Sequence, residues 1–103
     1  MEESNIAVEF TGFREQDEYT VSMVKNNVMK HLHRLGEICR KADKLHITMK
    51  TVHEREKGEL YEVHAHFHEP GMTYSSVCVD RNLMVAVDKV IERVISEVQH
   101  KNH

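Results

Sequence analysis

Residues 82–98, with the sequence NLMVAVDKVIERVISEV, constrain the fold of this chain more than any other stretch. Apolar residues recur there at intervals of three and four, the spacing of an amphipathic helix carried over about four turns. They are Leu83, Ala86, Val87, Val90, Ile91, Val94, Ile95 and Val98. Valine and isoleucine lose side-chain freedom in a helix, but the adjacent pairs Val90-Ile91 and Val94-Ile95 break the alternation that a strand requires. The pattern therefore predicts a helix stabilised mainly by packing, and its apolar stripe needs an apolar surface to cover.

Four stretches upstream alternate apolar and polar residues with the period of two that is typical of strands. They cover residues 5–10, 45–52, 60–68 and 72–79, and Thr11-Gly12 ends the first of them. The charged sequence HEREKG at residues 53–58 predicts one turn, and Pro70-Gly71 predicts another. These strands are the expected floor for the final helix.

Another helix is predicted between the first two strands. It follows the acidic residues 15–18, which suit the N-terminal end of a helix dipole. Its apolar stripe consists of Val21, Val24, Val28, Leu32 and Leu35. Gly36 lies near its end, although Ile38 and Cys39 could continue the pattern past it. The resulting order β-α-β-β-β-α predicts an α+β fold, a four-stranded sheet with two helices packed on one face. We expect residues 1–103 to form a single domain.

Composition excludes several classes of protein. No apolar run approaches the roughly 20 residues needed to cross a membrane, and the N-terminal sequence MEESNIAVEF lacks the basic region of a secretory signal. We therefore expect a cytoplasmic protein, in which Cys39 and Cys78 stay reduced because they form no metal-binding or redox motif. The formal net charge of −3 does not favour nucleic-acid binding, so any such role requires a local basic patch.

Three strings carry a likeness to known proteins. Phe10-Thr11-Gly12 is similar to a first strand that ends in an aliphatic residue, threonine and glycine. Residues 61–88, YEVHAHFHEPGMTYSSVCVDRNLMVAVD, match without a gap a third strand, a Pro-Gly turn, a fourth strand and the start of a final helix. Within them Ala86-Val87-Asp88 resembles Ala-Ile-Asp, and Met84 replaces a usual tyrosine. Over nearly its whole length the chain thus resembles the short members of the ribosome hibernation promoting factors, also called sigma-54 modulation or ribosome-associated inhibitor proteins.

This resemblance implies a small non-enzymatic protein, without a cofactor, that sits in the mRNA and tRNA channel of the small ribosomal subunit. There it would silence idle ribosomes, as in a stress response. Family members contact ribosomal RNA with basic residues on both helices, while Ser96 and Gln99 stand here where basic residues are usual. By position, the implied RNA-binding residues are Lys25, Lys30, His31 and Arg34 on the first helix and Lys89, Arg93, His100 and Lys101 on the last.

Histidines form the other notable pattern. His64, His66 and His68 share one face of the third predicted strand, and His46 lies on the second. Two imidazoles can hold zinc, but same-face residues are roughly 6.5–7 Å apart, so a site would need one pair plus His46 or Glu62. We predict no metal site, and these four histidines are the candidate ligands should one form. The face could equally be a solvated polar surface, or one that gains charge below about pH 6.5 and then favours phosphate.

Two alternatives to ribosome binding remain open. The sequence contains no Gly-rich phosphate loop, nucleophile elbow or HExxH motif, so we expect no enzyme. The chain could be a protein-interaction or regulatory module of the same fold, or a metal-binding protein that uses the strand histidines. We expect a monomer, although Val77 and Val79 should face away from the helices and could seed a weak homodimer.

Overall fold

The computed structural model describes residues 6–54, 56 and 58–101. In chain order its elements are β1 (Ala7–Thr11), α1 (Glu18–Ile38), β2 (Lys44–Glu54), β3 (Gly58–Glu69), β4 (Met72–Asp80) and α2 (Leu83–Lys101). The predicted order β-α-β-β-β-α is confirmed, and so is the α+β fold class. None of the helices in this part of the chain has the length and apolarity to span a membrane.

The four strands form one mixed sheet in the order β1-β2-β3-β4. β1 runs parallel to β2, because α1 carries the chain back across the sheet between them, whereas β2, β3 and β4 are antiparallel neighbours joined by tight connections. The register places His46 opposite His66 and Ile47 opposite Ala65. Alternate positions on β2 and β3 therefore project to opposite faces of the sheet.

One face of the sheet carries the core. α2 lies against β3, β4 and α1, and the apolar stripes of both helices join the inward residues of the strands in one buried cluster. The strands contribute Leu45, Ile47, Met49, Val63, Ala65, Phe67, Tyr74 and Cys78. The helices contribute Val24, Val28, Leu32 and Leu35 from α1 and all eight apolar residues of the predicted α2 stripe. The helix predicted from residues 82–98 is thus the central element of the core.

Several predicted boundaries move by a few residues. The predicted turn at residues 53–58 is too long, because His53 pairs with Glu59 and Glu54 with Gly58 in the β2–β3 ladder. Arg55 and Lys57, within that predicted turn, lie outside the described residues, as does Asn5 at the predicted start of β1. α1 continues through Gly36, and α2 extends beyond residue 98 to Lys101. In each case pairing or packing prolongs the element past a weak local stop signal.

Both helices begin at side-chain caps. The Asp17 carboxylate accepts a hydrogen bond of 2.7 Å from the Thr20 backbone N–H, and this bond lowers the pKa of Asp17. Asn82 caps α2 by accepting from the Val85 backbone N–H at 3.2 Å. These caps satisfy backbone donors that would otherwise have no partner within the helix.

The backbone geometry after β1 explains why a glycine stands at position 12. Its φ of +92° is a conformation that side chains with a Cβ rarely adopt. A Cβ at this position would also lie 1.9 Å from the carbonyl oxygen of Met49 on β2. The chain can therefore leave β1 this close to its neighbour only without a side chain.

Candidate nucleic-acid interface

The two helices meet at a polar contact centred on Asp88 of α2. Asn27 of α1 donates a hydrogen bond of 2.9 Å from Nδ2 to Asp88 Oδ1, and His31 Nε2 lies 3.5 Å from the same oxygen. Asn27 and His31 are four residues apart and hence on one side of α1. The contact therefore identifies which side of each helix faces the other. His31, a predicted RNA-binding residue, is half-buried here and engaged with Asp88.

Lys30 and Arg34 lie on the side of α1 next to α2. Arg34 follows Asn27 by seven residues, which is about two helical turns, and Lys30 follows it by three. Both side chains are exposed, and neither forms an ion pair or hydrogen bond with another residue of the described ranges. Both are therefore available to an anionic partner.

Lys25 lies on a different side of α1. It precedes Lys30 by five residues, which separates the two side chains by about 140° around the helix. Its ammonium group lies 5.8 Å from the ring centroid of Phe10 on β1, a cation–π arrangement. Lys25 therefore does not share the side of α1 that carries Lys30 and Arg34, because five residues do not make a whole number of turns.

Lys89 and Arg93 lie on the side of α2 next to β4. Lys89 Nζ is 4.0 Å from Asp80 Oδ2, and the Arg93 guanidinium donates to the backbone carbonyl of Val77. Arg93 follows Asp88 by five residues, about 140° around α2, and is therefore turned away from α1. The structure thus places these two cations above the edge strand β4, apart from Lys30 and Arg34 at the junction of the helices.

His100 and Lys101 occupy the last turn of α2 and are exposed. His100 follows Arg93 by seven residues and continues the side of α2 that lies above β4. Exposed Glu92 and Glu97 on the same helix reduce the positive potential of this group. α1 has no basic residue in its last turn, so its cations do not serve to complement the helix dipole there.

An open groove of about 420 Å³ lies between β1 and α1, and the sequence did not indicate it. Phe10, Phe13, Val21, Arg14 and Lys25 line most of it. The two phenyl rings meet edge to face at 82°, with centroids 5.8 Å apart. The only sequence signal was the spacing of Phe10 and Phe13 around Gly12, which does not distinguish a groove from an ordinary packed turn.

The predicted histidine face is present on the side of the sheet opposite the helices. His46 and His66 are cross-strand partners, and His64 and His68 flank His66 on the same face of β3. Burial lowers the pKa of His66, and the neighbouring charges of His64, His46 and His68 lower it further. Across the ranges that the structure covers, no three histidine, cysteine, aspartate or glutamate residues converge to hold a metal ion.

Solved structures show where this architecture recurs. The fold is similar to that of a ribosomal subunit interface protein from Coxiella burnetii, with a TM-score of 0.65 and 13% identity over 94% of this chain and 96% of that one. It is also similar to the Thermus thermophilus Protein Y N-terminal domain, with a TM-score of 0.60 and 16% identity over 93% and 97% of the two chains. No protein-family model and no curated protein sequence matches the chain. The resemblance drawn from the sequence is therefore confirmed as a likeness of fold, shared over nearly the whole length with these two proteins.

Proposed function

We propose that this protein is a non-enzymatic, cytoplasmic ribosome-binding factor that occupies the mRNA and tRNA channel of the small subunit and silences idle ribosomes. The observation that carries the proposal is the full-length match of fold to a ribosomal subunit interface protein and to the Protein Y N-terminal domain. The sequence likeness at residues 61–88 supports it independently. The factor acts without a cofactor, as a monomer, under stress conditions that leave ribosomes idle.

Lys30 and Arg34 are the first phosphate contacts in this proposal. They are exposed, they lie on the same side of α1, and neither is paired with a carboxylate in the described chain. An unpaired cation gains more from a phosphate than a paired one, because it gives up no existing ion pair. Each phosphate contact releases condensed counterions, so binding must weaken steeply as salt rises.

The remaining basic residues bind more weakly. To contact RNA, Lys89 must give up or share its ion pair with Asp80, and Arg93 its hydrogen bond to the Val77 carbonyl. His31 must likewise break its contact with Asp88. The Lys89–Asp80 ion pair is of the exposed kind that is worth about 0–1 kcal/mol, so RNA can displace it at small cost. Lys25, His100 and Lys101 complete the contact set at either end of the surface.

Co-sedimentation with purified small ribosomal subunits tests the proposal. We expect the wild-type protein to pellet at low salt, and the double variant Lys30→Glu, Arg34→Glu to remain in the supernatant. Losing two phosphate contacts should lower the slope of log K against log salt by roughly two units. A messenger oligonucleotide that occupies the channel should compete with the wild-type protein.

The matched control is the double variant Arg40→Glu, Lys41→Glu. These cations are exposed just after α1, carry the same charge, and are not among the predicted contacts. We expect this control to pellet like the wild type. If neither the wild type nor the control pellets, ribosome binding is refuted; if both double variants pellet equally, the α1 surface is refuted.

A second candidate is an interaction module of the same fold that does not bind ribosomes. The intramolecular contacts of His31, Lys89 and Arg93 favour it, since they occupy three of the eight implied RNA-binding side chains. In that case acidic residues such as Glu92 and Glu97 would help to select a protein partner. Failure of sedimentation at low salt in a folded protein would select this candidate.

A further inference from the structure

The face of the sheet opposite the helices gathers four histidines into one continuous patch. His46 on β2 lies beside His66 on β3, while His64 and His68 are the next same-face residues of β3 in either direction. All four are half-buried, and no described element covers this face. The patch therefore combines ordered side chains with open access to solvent.

Hydrogen bonds within the sheet orient each imidazole. His66 Nδ1 lies 2.9 Å from Ser75 Oγ, and His68 Nδ1 lies 3.0 Å from Thr73 Oγ1. On the other side of the patch His46 Nε2 lies 2.8 Å from Thr11 Oγ1. A hydroxyl oxygen can accept from a protonated imidazole as well as from a neutral one, so these three bonds persist when the histidines become charged.

In the part of the chain that the structure describes, the second nitrogen of each of these three imidazoles has no hydrogen-bond partner. In His66 and His68 this atom is Nε2, and in His46 it is Nδ1, since the opposite nitrogen is held by a hydroxyl. A charged imidazole carries a proton on both nitrogens. In acid the patch therefore presents three oriented N–H donors as well as positive charge.

The charge of this face depends on pH. At neutral pH Lys44 is paired with Glu9 at 3.1 Å, and Lys50 lies near Glu62, so the fixed charges balance. Glu62 also holds His64 at 2.7 Å, and its pKa is lowered by that hydrogen bond. At the far end Glu54 is engaged with Arg81. The β4 residues on this face carry no charge, so protonation of the histidines makes it strongly cationic.

Ring geometry favours a nucleic acid over other anions. The imidazoles of His64 and His66 are nearly parallel, at 14°, with centroids 6.4 Å apart. The parallel imidazoles present flat faces on which a base can stack, while an acidic peptide has no group of that shape.

We propose that this histidine face is a second RNA-binding surface, which forms in mildly acidic conditions and binds single-stranded RNA through its phosphates and one stacked base. It is independent of the basic residues of the helices, because it lies on the opposite side of the molecule. Binding raises the affinity of the four imidazoles for protons, by the same linkage through which protons promote binding.

Fluorescence anisotropy with a labelled single-stranded oligoadenylate tests the proposal. Affinity is measured at about pH 5.5 and about pH 7.5, below and above the ordinary imidazole pKa. We expect binding to be about tenfold or more tighter in acid. The measurement is repeated in the Lys30→Glu, Arg34→Glu background, where the acid-dependent gain should persist even if ribosome binding is lost.

The double variant His66→Gln, His68→Gln should lose most of this gain, since glutamine cannot acquire charge. The matched control is His33→Gln, His53→Gln, which removes two exposed imidazoles that lie outside the patch. The control should keep the gain. The proposal is overturned if both variants lose the acid-dependent gain in affinity equally, or if the wild type shows no gain. It is also overturned if circular dichroism shows that the protein unfolds at about pH 5.5.

The nature of the ligand is tested by competition in acid. Inorganic polyphosphate offers phosphates without bases, and oligoaspartate offers carboxylates. Either should displace the oligoadenylate only at about tenfold or more excess over an unlabelled RNA of equal charge, because neither supplies a stacked base. Equal competition by either polyanion would overturn RNA as the ligand of this face.

Discussion

The two faces of the sheet are built from alternate residues of the same strands, yet they follow different rules. On the covered face Leu45, Ile47 and Phe67 have no exposed surface and belong to the buried cluster that includes the stripes of both helices. On the open face their chain neighbours His46 and His66 are half-buried and bonded to hydroxyl groups. The covered face stabilises the fold by removing apolar surface from water. The open face only exchanges hydrogen bonds to water for hydrogen bonds within the sheet.

The difference teaches where this protein stores stability and where it can respond to its surroundings. A face that contributes little burial free energy can carry titratable groups without endangering the fold. A face that supplies the core cannot, because an unpaired buried charge costs several kcal/mol. The predictions below test this division, beginning with the largest expected effect.

Phe67→Ala should lower the free energy of unfolding by about 3–5 kcal/mol, through lost transfer energy and the cavity that remains. Its neighbour on the open face supplies the control, since His66→Ala removes one hydrogen bond worth about 0.5–1.5 kcal/mol. Chemical denaturation of both variants provides the measurement. Equal losses would mean that the two faces do not differ as described.

Gly12→Ala should destabilise more than Gly71→Ala. Both glycines have a positive φ, which costs about 1–3 kcal/mol for a residue with a Cβ. Only at Gly12 would the new Cβ also meet backbone, at the Met49 carbonyl, whereas nothing lies within 4 Å at Gly71. Thermal melts of the two variants separate backbone strain from steric contact. Identical melting temperatures would show that the close approach of Gly12 to Met49 does not add to the destabilisation.

Val94→Ala should lower the free energy of unfolding by about 1–3 kcal/mol, because Val94 is fully buried between α2 and the sheet. Val85→Ala on the same helix is the control, since that side chain is 37% exposed. Denaturant midpoints check both variants. An unchanged midpoint for Val94→Ala would show that the α2 stripe is not the core.

The smallest effect concerns pH. The folded-state pKa of His66 is lowered, chiefly by burial, so the unfolded chain binds a proton more readily than the folded chain does. The resulting stability is fully present above the unfolded value of about 6.5 and is lost as pH falls through the lower folded value. Urea unfolding at several pH values should show a smaller acid loss in His66→Gln than in the wild type. If the variant shows the same dependence of unfolding free energy on pH as the wild type, His66 does not cause the loss of stability in acid.

The sequence by itself determined the order of elements, the fold class and the inward residues. Periods of two and of three to four residues depend on local backbone geometry, and the burial of Val90, Val94 and Phe67 follows from them. The same periodicity predicted the histidine face. The boundary at the β2–β3 hairpin was less accurate, since pairing extended both strands into the predicted turn.

Only the tertiary structure decided how the basic residues are grouped. Sequence spacing indicates that Lys89 and Arg93 share a side of α2. Which neighbour that side meets depends on how the helix is rotated about its own axis when it packs. Asp88 turns toward α1, which leaves Arg93 above β4 and separates it from Arg34. Lys25 likewise comes to Phe10 because β1 lies beside that flank of α1. Periodicity defines the sides of an element, whereas the partner of each side is a long-range property that only packing of the whole chain selects.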